Sequence, residues 1–141
     1  QLKSPFDAQP TLSHRVLGAM HRQGMLHHWI QQNHDGLPQK AGHPQEAINE
    51  IHGAWYDPSN PVVAMEGSLR GDLFDWLQEE IQKADLCLTL GTSLCGMSAD
   101  AIAEKTARRA LKGRALGTVI VALQQTALDS IASLRIFATI D

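Results

Sequence analysis

The sequence has few aromatic residues, few cysteines and no long apolar segment. Aromatic residues make up 5% of the 141 residues, so we expect a core built mainly from aliphatic side chains. Two cysteines are too few for a disulfide framework. No apolar run reaches the roughly 18 residues typical of a membrane span, so no membrane partner is expected. With 43% hydrophobic and 19% charged residues, the composition is that of one globular domain.

The sequence also lacks an excess of charge of one sign. The formal net charge is −3, which gives no general attraction to nucleic acid or acidic membranes. A basic group within residues 108–114 is typical of a solvated helix end, so no nucleic-acid partner is expected. Cys87 and Cys95 have no partner at C-x-x-C spacing, so we expect no metal site and reduced thiols in an intracellular protein. The sequence begins with Gln1 and not with Met, so we expect it to be a fragment or a processed piece of a longer protein.

Hydrophobic periodicity and turn residues predict an N-terminal arm (residues 1–10) and a single domain (residues 11–141). The domain opens with a helix that Thr11 or Ser13 can cap, followed by a strand over residues 25–30. The remaining predicted elements are a short helix at 45–49, a loop at 54–67, a helix at 72–83, a strand at 86–90, a helix capped by Ser98, a strand at 118–123, a short helix at 127–133 and a strand at 134–140. Strands that alternate with helices predict an α/β fold with a parallel sheet and right-handed crossovers.

The apolar run at residues 86–90 is typical of a strand that is covered on both faces. Short polar segments interrupt this apolar pattern at residues 32–36, 51–53 and 91–93. In open α/β folds, polar residues that follow strands are where ligands bind. We therefore expect a nucleotide site built from these segments.

Each polar residue also has a local interpretation. Asp35 precedes a glycine and can form a turn, and Asn33 can cap the backbone in the same way. Thr92 and Ser93 can cap the start of a helix, and His52 can be held by a backbone carbonyl. The functional interpretation depends on the segments occurring together.

The segments resemble, in order and context, the signatures of the sirtuins, the NAD-dependent protein deacylases. The matching motifs are Gln32-Asn33-x-Asp35-Gly36-Leu37, Ile51-His52-Gly53 and Ala84-Asp85-x-x-Leu88-x-Leu90-Gly91-Thr92-Ser93-Leu94, with Pro10-Thr11-x-x-His14 upstream and Val119-Ile120-Val121-Ala122-Leu123-Gln124 downstream. Each motif alone is weak, but their order over residues 10–141 is specific. The resemblance implies a Rossmann-like parallel sheet flanked by helices, NAD as cofactor and the acylated lysine of a protein as substrate.

The resemblance also implies a role for each matching residue. His52 acts as a general base through the ribose hydroxyls, a task that suits an imidazole because its ordinary pKa is close to neutral. Asn33 binds the ribose or orders a water, and Asp35 accepts a hydrogen bond from the nicotinamide carboxamide. The remaining cofactor-binding residues are Gln32 at the ribose, Gly91, Thr92 and Ser93 at phosphate or ribose, and Leu123 and Gln124 in the last matching motif.

The sequence departs from the sirtuin pattern in several places. The glycine-rich strand-turn Gly-Ala-Gly-x-Ser is not found, and in the family pattern it would lie before residue 1. Only thirteen residues, none of them cysteine, separate Gly53 from Gly67, where sirtuins carry a zinc lobe. His34 stands where the family has Ile or Val, and Ala122 where it has Asn. The segment Leu73-Phe74-Asp75 is at best a remnant of the strand that pins the substrate peptide.

These departures leave several functions open. The first is an NAD-consuming enzyme that cleaves the nicotinamide–ribose bond and deacylates protein lysines, with an upstream segment or a second chain completing the NAD site. The alternatives are an NAD hydrolase or ADP-ribosyl transferase, a non-catalytic module that binds NAD or ADP-ribose, and a scaffold that keeps the fold without a ligand.

Overall fold

A computed structural model describes residues 4–141 and divides the chain into two compact units. The first unit runs to Trp76 and includes Asp141, and the second unit is Leu77–Ile140. The predicted α/β class with parallel strands and flanking helices is confirmed, because every strand pair among residues 4–141 is parallel. No helix within that range is long and apolar enough to cross a membrane.

The first unit contains a small parallel sheet and short helices. Its elements are a 3₁₀ turn (Pro5–Asp7), α1 (Leu12–Arg22), β1 (Trp29–Ile30), α2 (Leu37–Lys40), a 3₁₀ turn (Gln45–Ala47) and β2 (Ile48–Asn49). Strand β1 pairs with β2, with Trp29 opposite Ile48 and Ile30 opposite Asn49. Ile51 is fully buried just after β2, and the buried Asn49 side chain donates to the Leu73 carbonyl (2.8 Å). These contacts fix the chain where β2 ends.

The elements of the first unit differ in part from the prediction. Thr11 is the N-cap of α1, and it is one of the two residues that the sequence offered for this position. The strand predicted at 25–30 is limited to the two residues of β1. The short helix predicted at 45–49 is a 3₁₀ turn that leads directly into β2. A two-residue strand carries no alternation, so periodicity could not find β2.

The second unit is a three-stranded parallel sheet with α4 on one face. Helix α3 (Gly71–Lys83) contains the boundary between the units. The other elements are β3 (Leu86–Leu90), α4 (Asp100–Ala110), β4 (Gly117–Val121), a 3₁₀ turn (Asp129–Ile131) and β5 (Leu134–Ile136), with strand order β3-β4-β5. The core cluster joins Ala103 of α4, Ile120 of β4 and Leu94. The Thr118 hydroxyl ties β4 to α4 by donating to the Ala103 carbonyl (2.7 Å).

The second unit differs from the prediction at four places. Leu86 and Leu88 on β3 are 51% and 39% exposed, so this strand is not covered on both faces within the described chain. Helix α4 has Ala99 as its N-cap rather than Ser98. The helix predicted at 127–133 is a single 3₁₀ turn, and the last strand ends at Ile136 instead of 140.

Candidate functional site

The first polar segment, residues 32–36, begins two residues after β1. Gln32 is half-buried, and Asn33 is exposed with no hydrogen-bond partner among residues 4–141 for its side-chain amide. One carboxylate oxygen of Asp35 accepts a hydrogen bond from the Leu37 N–H (3.0 Å) at the start of α2. Asp35 therefore forms the expected local turn, while its second oxygen makes no hydrogen bond within the described chain.

The second polar segment, residues 51–53, follows β2 as a tight turn. Gly53 has a φ of +90°, which is the left-handed region that favours glycine. A Cβ at Gly53 would lie 2.3 Å from the Pro61 carbonyl oxygen and 2.6 Å from the Val62 Cα, so the loop backbone approaches too closely for any side chain. The half-buried His52 ring makes no hydrogen bond to the described residues. Its nitrogens are available to a ligand.

His34 joins the two polar segments of the first unit. Its Nδ1 lies 2.8 Å from the Gly53 carbonyl oxygen, and since a carbonyl only accepts, Nδ1 carries the proton. The Trp55 N–H donates in return to the His34 carbonyl (3.0 Å). Asn33 and Asp35 flank His34 in the chain, and His52 precedes Gly53. The structure thus brings the backbone of all three predicted catalytic residues to one place in the first unit.

The third polar segment, residues 91–93, follows β3 in the second unit. Gly91 has a φ of +63°, and its N–H donates to the Val121 carbonyl (3.0 Å). The Thr92 hydroxyl accepts from the Leu94 N–H (3.3 Å), and the Ser93 hydroxyl accepts from the Cys95 thiol (3.0 Å). Both hydroxyls therefore bond within the local turn, and neither caps a helix, because α4 begins at Asp100 with Ala99 as its N-cap.

The segment after β4 is held by an arginine that the sequence did not single out. Leu123 is 67% exposed, and the carbonyl of the exposed Gln124 accepts from the Arg135 guanidinium. Arg135 also donates to the Ala122 carbonyl (2.9 Å) and pairs with Asp129 (2.8 Å). The guanidinium fixes the backbone on which the predicted cofactor-binding residues lie, and a lone arginine in a strand gives no sequence signal of this role.

Asp100 is a second residue with a role that the sequence did not reveal. Its Oδ2 accepts from the N–H groups of Gly96 and Met97 (both 2.9 Å), which shapes the turn between the third polar segment and α4. Leu94, in the same turn, has a φ of +54° and is buried, so packing holds it in a conformation that favours glycine.

Thiol and metal chemistry have little support in the described residues. Burial raises the pKa of the Cys87 thiol to about 12, which keeps it protonated at neutral pH. The rings of His21 and His43 lie tilted by 44° with their centroids 4.4 Å apart, but no group of three or more His, Cys, Asp or Glu within residues 4–141 could hold a metal ion. Among the three predicted catalytic residues, the Asn33 amide, one oxygen of Asp35 and the His52 ring make no hydrogen bond within residues 4–141.

Comparison with known proteins finds similarity to one family. The sequence profile of the Sir2 family matches residues 1–64. The chain is 42% identical over 50 residues to NAD-dependent protein deacetylase sirtuin-7 of Homo sapiens, which covers 36% of this chain and 12% of the human protein. It is 29% identical to NAD-dependent protein deacetylase SRT1 of Arabidopsis thaliana, over 97% of this chain and 36% of the plant protein. An NAD-dependent protein deacetylase of Saccharolobus solfataricus is also 29% identical, over 94% of this chain and 63% of that protein.

Solved structures give the same fold. A Sir2 homologue in complex with NAD superposes with a TM-score of 0.84 at 22% identity, covering 96% of this chain and 62% of that one. A Sir2 protein bound to a propionylated peptide gives a TM-score of 0.82 at 24% identity, covering 96% and 68%. The predicted Rossmann-like fold is therefore confirmed. This chain spans between an eighth and two thirds of the length of these relatives. Its sequence is similar to the Sir2 (sirtuin) family, whose profile matches residues 1–64, and 96% of its length shares the fold of Sir2 proteins.

Proposed function

We propose that this chain carries the nicotinamide-ribose part of an NAD-consuming deacylase site. The observation that carries the proposal is the His34–Gly53 hydrogen bond, which joins the segment bearing Asn33 and Asp35 to the turn bearing His52. Three groups with uncommitted donors or acceptors then lie in one small region of the first unit. A half-buried polar group that has no partner within the fold, such as the His52 ring, is a candidate for ligand binding.

The available groups fit the nicotinamide end of NAD. Bound NAD supplies an anomeric ribose carbon that loses nicotinamide when the acyl oxygen of a substrate lysine attacks it. The His52 ring, half-buried and without a partner, is suited to take a proton from a ribose hydroxyl as general base. The Asn33 amide can donate to a ribose hydroxyl or hold a water. The second carboxylate oxygen of Asp35 can accept from the carboxamide N–H.

We assign the remaining cofactor contacts by the family motif. Gln32 is proposed to bind the ribose. Gly91, Thr92 and Ser93 of the second unit are proposed to contact phosphate or ribose, where the left-handed φ of Gly91 suits a backbone that must come close to a ligand. Leu123 and Gln124 are the last proposed contacts, on the backbone that Arg135 holds.

A second candidate function is favoured by the link between Gly53 and Gly67. This link has thirteen residues without cysteine where a sirtuin carries its zinc lobe, so the chain lacks a part that is usually associated with a protein substrate. Water or another nucleophile could then replace the acyl-lysine, which would make the protein an NAD hydrolase or an ADP-ribosyl transferase. A protein that binds NAD or ADP-ribose without turnover is the remaining alternative.

Nicotinamide release by the full-length protein separates these functions. The protein is incubated with NAD, with and without an acyl-lysine peptide, and nicotinamide is measured by chromatography. The proposal expects release that depends on the peptide and is abolished by His52→Ala, whereas His27→Ala, which changes an exposed histidine of the same unit, leaves it unchanged. Release without the peptide indicates the hydrolase. Binding by calorimetry with no release in any condition contradicts the enzyme and indicates the binding module.

A further inference from the structure

The loop that follows the His52 turn has one buried anchor. We call residues 57–63 the strap. Within it Pro58, Ser59 and Pro61 are exposed, whereas Asn60 is only 3% exposed. A buried amide is expected to be hydrogen-bonded, because leaving it without partners destabilises the fold. The partners of Asn60 therefore indicate what the strap does.

Asn60 binds the turn on both sides of His52. Its side-chain Nδ2 donates to the Glu50 carbonyl (3.0 Å), two residues before the histidine. Its own carbonyl accepts from the Ala54 N–H (2.9 Å), two residues after it. A single residue thus holds both ends of the five-residue stretch at whose centre His52 lies.

Further contacts from the strap reach the turn itself. The Val63 N–H donates to the His52 carbonyl (3.0 Å). The Pro61 carbonyl lies so close to Gly53 that no Cβ can be placed there. The turn has one hydrogen bond of its own, from the Gly53 N–H to the Glu50 carbonyl (2.9 Å). Most of the hydrogen bonds that fix this turn therefore come from outside it.

The opposite side of the turn is held by His34, through the Gly53 carbonyl. His34 and the strap between them occupy the carbonyls at positions 50, 52 and 53 and the N–H at position 54. With its backbone fixed in this way, the His52 side chain is left with only its own rotations. A general base needs this restriction, since a misplacement of about 1 Å can cost on the order of 100-fold in rate.

We propose that Asn60 is a positioning residue for His52, and that the strap performs the positioning through the backbone of residues 50–54. This inference rests on the proposed function, in which His52 is the general base. Asn60 itself is buried and bonded on both sides, so it acts through the turn and is not expected to touch the substrate.

The test compares variants of the strap in the full-length protein. Asn60→Asp keeps the size of the side chain but replaces the donor to the Glu50 carbonyl with an acceptor, and Asn60→Ala removes the side chain. Ser59→Ala is the matched control, because Ser59 is the exposed neighbour and bonds only Asp57 within the strap. We expect kcat for nicotinamide release to fall about 10- to 100-fold in both Asn60 variants, with KM for NAD changed less than about threefold. Ser59→Ala should match the wild type.

An NMR measurement makes the test independent of turnover. The His52 ring resonances, assigned by their loss in His52→Ala, should shift or broaden in Asn60→Asp and stay in place in Ser59→Ala. Unchanged His52 resonances in a folded Asn60→Asp protein overturn the positioning role. An equal loss of kcat in the Ser59 control overturns it as well. If the wild type shows no turnover while the His52 resonances respond as expected, the positioning role stands and the proposed function fails.

Discussion

Gly53→Ala is the substitution that most directly probes how tightly the strap encloses the His52 turn. Alanine adds one methyl group at a φ of +90°, with its carbon 2.3 Å from the Pro61 carbonyl oxygen. Ordinary contact requires about 3.5 Å, so the strap must move by roughly 1 Å. The three atoms nearest to the methyl carbon, two in Pro61 and one in Val62, are all backbone atoms, so no side-chain rotation can relieve the contact.

The cost of this change follows from two contributions. An L-residue in the left-handed region costs roughly 1–2 kcal/mol. A shift of the strap by roughly 1 Å also breaks or weakens three hydrogen bonds, from Asn60 to Glu50, from Ala54 to Asn60 and from Val63 to His52. At about 0.7–1 kcal/mol each, the three bonds contribute about 2–3 kcal/mol, and the sum of both contributions is about 3–5 kcal/mol of unfolding free energy. Gly24→Ala is the matched control, because Gly24 has a φ of +70° with nothing within 4 Å of the added Cβ.

Urea unfolding monitored by tryptophan fluorescence measures both variants. In the Gly24→Ala control, the free energy of unfolding should fall by about 1–2 kcal/mol. In Gly53→Ala it should fall by about 2–3 kcal/mol more than in the control, and the two m-values should be equal. Equal losses in the two variants, within about 0.5 kcal/mol, would refute the argument, because the backbone conformation alone would then explain both.

Other features of the chain give three more predictions. Burial and two nearby histidines lower the pKa of His43, so the folded state resists its protonation; the free energy of unfolding should fall as the pH drops below about 6.5, and His43→Leu should reduce that dependence in urea titrations at several pH values. Leu77 of α3 is fully buried, so Leu77→Ala should lower the free energy of unfolding by about 2–5 kcal/mol. A decrease below about 1 kcal/mol in the same assay would contradict its place in the core. Iodoacetamide at pH 8 should modify the exposed Cys95 well before the half-buried Cys87, as mass spectrometry of timed samples would show; the reverse order would be inconsistent with the raised Cys87 pKa.

The elements that the sequence predicted well are those with a long and regular pattern. Helices α3 and α4 carry apolar residues at helical spacing, and β3 and β4 are continuous apolar runs, so each was placed to within a few residues. The two-residue strands and the four-residue helix α2 give no such pattern. The burial of β3 was predicted less well. Its residues are apolar, but an apolar sequence does not show which elements cover each face of the strand.

The sequence proposed residues for the candidate site but could not give the contacts that connect them. The sequence motifs placed Asn33, Asp35 and His52, and the resemblance gave each a role. The sequence indicated that His34 and Asn60 can form hydrogen bonds, but not with which groups. Their partners lie 19 and 10 residues away and are backbone carbonyls, which every residue has. Only a folded backbone can reveal such a contact.

The central claim, that His52 serves NAD-dependent deacylation, is tested most directly by the stoichiometry of the reaction. Nicotinamide is measured by chromatography and the deacylated peptide by mass spectrometry, in the same samples of full-length protein with NAD and an acyl-lysine peptide. The account predicts one nicotinamide released for each acyl group lost, and neither product with His52→Ala. Nicotinamide without loss of the acyl group, or NAD that remains intact in the presence of the peptide, would contradict it.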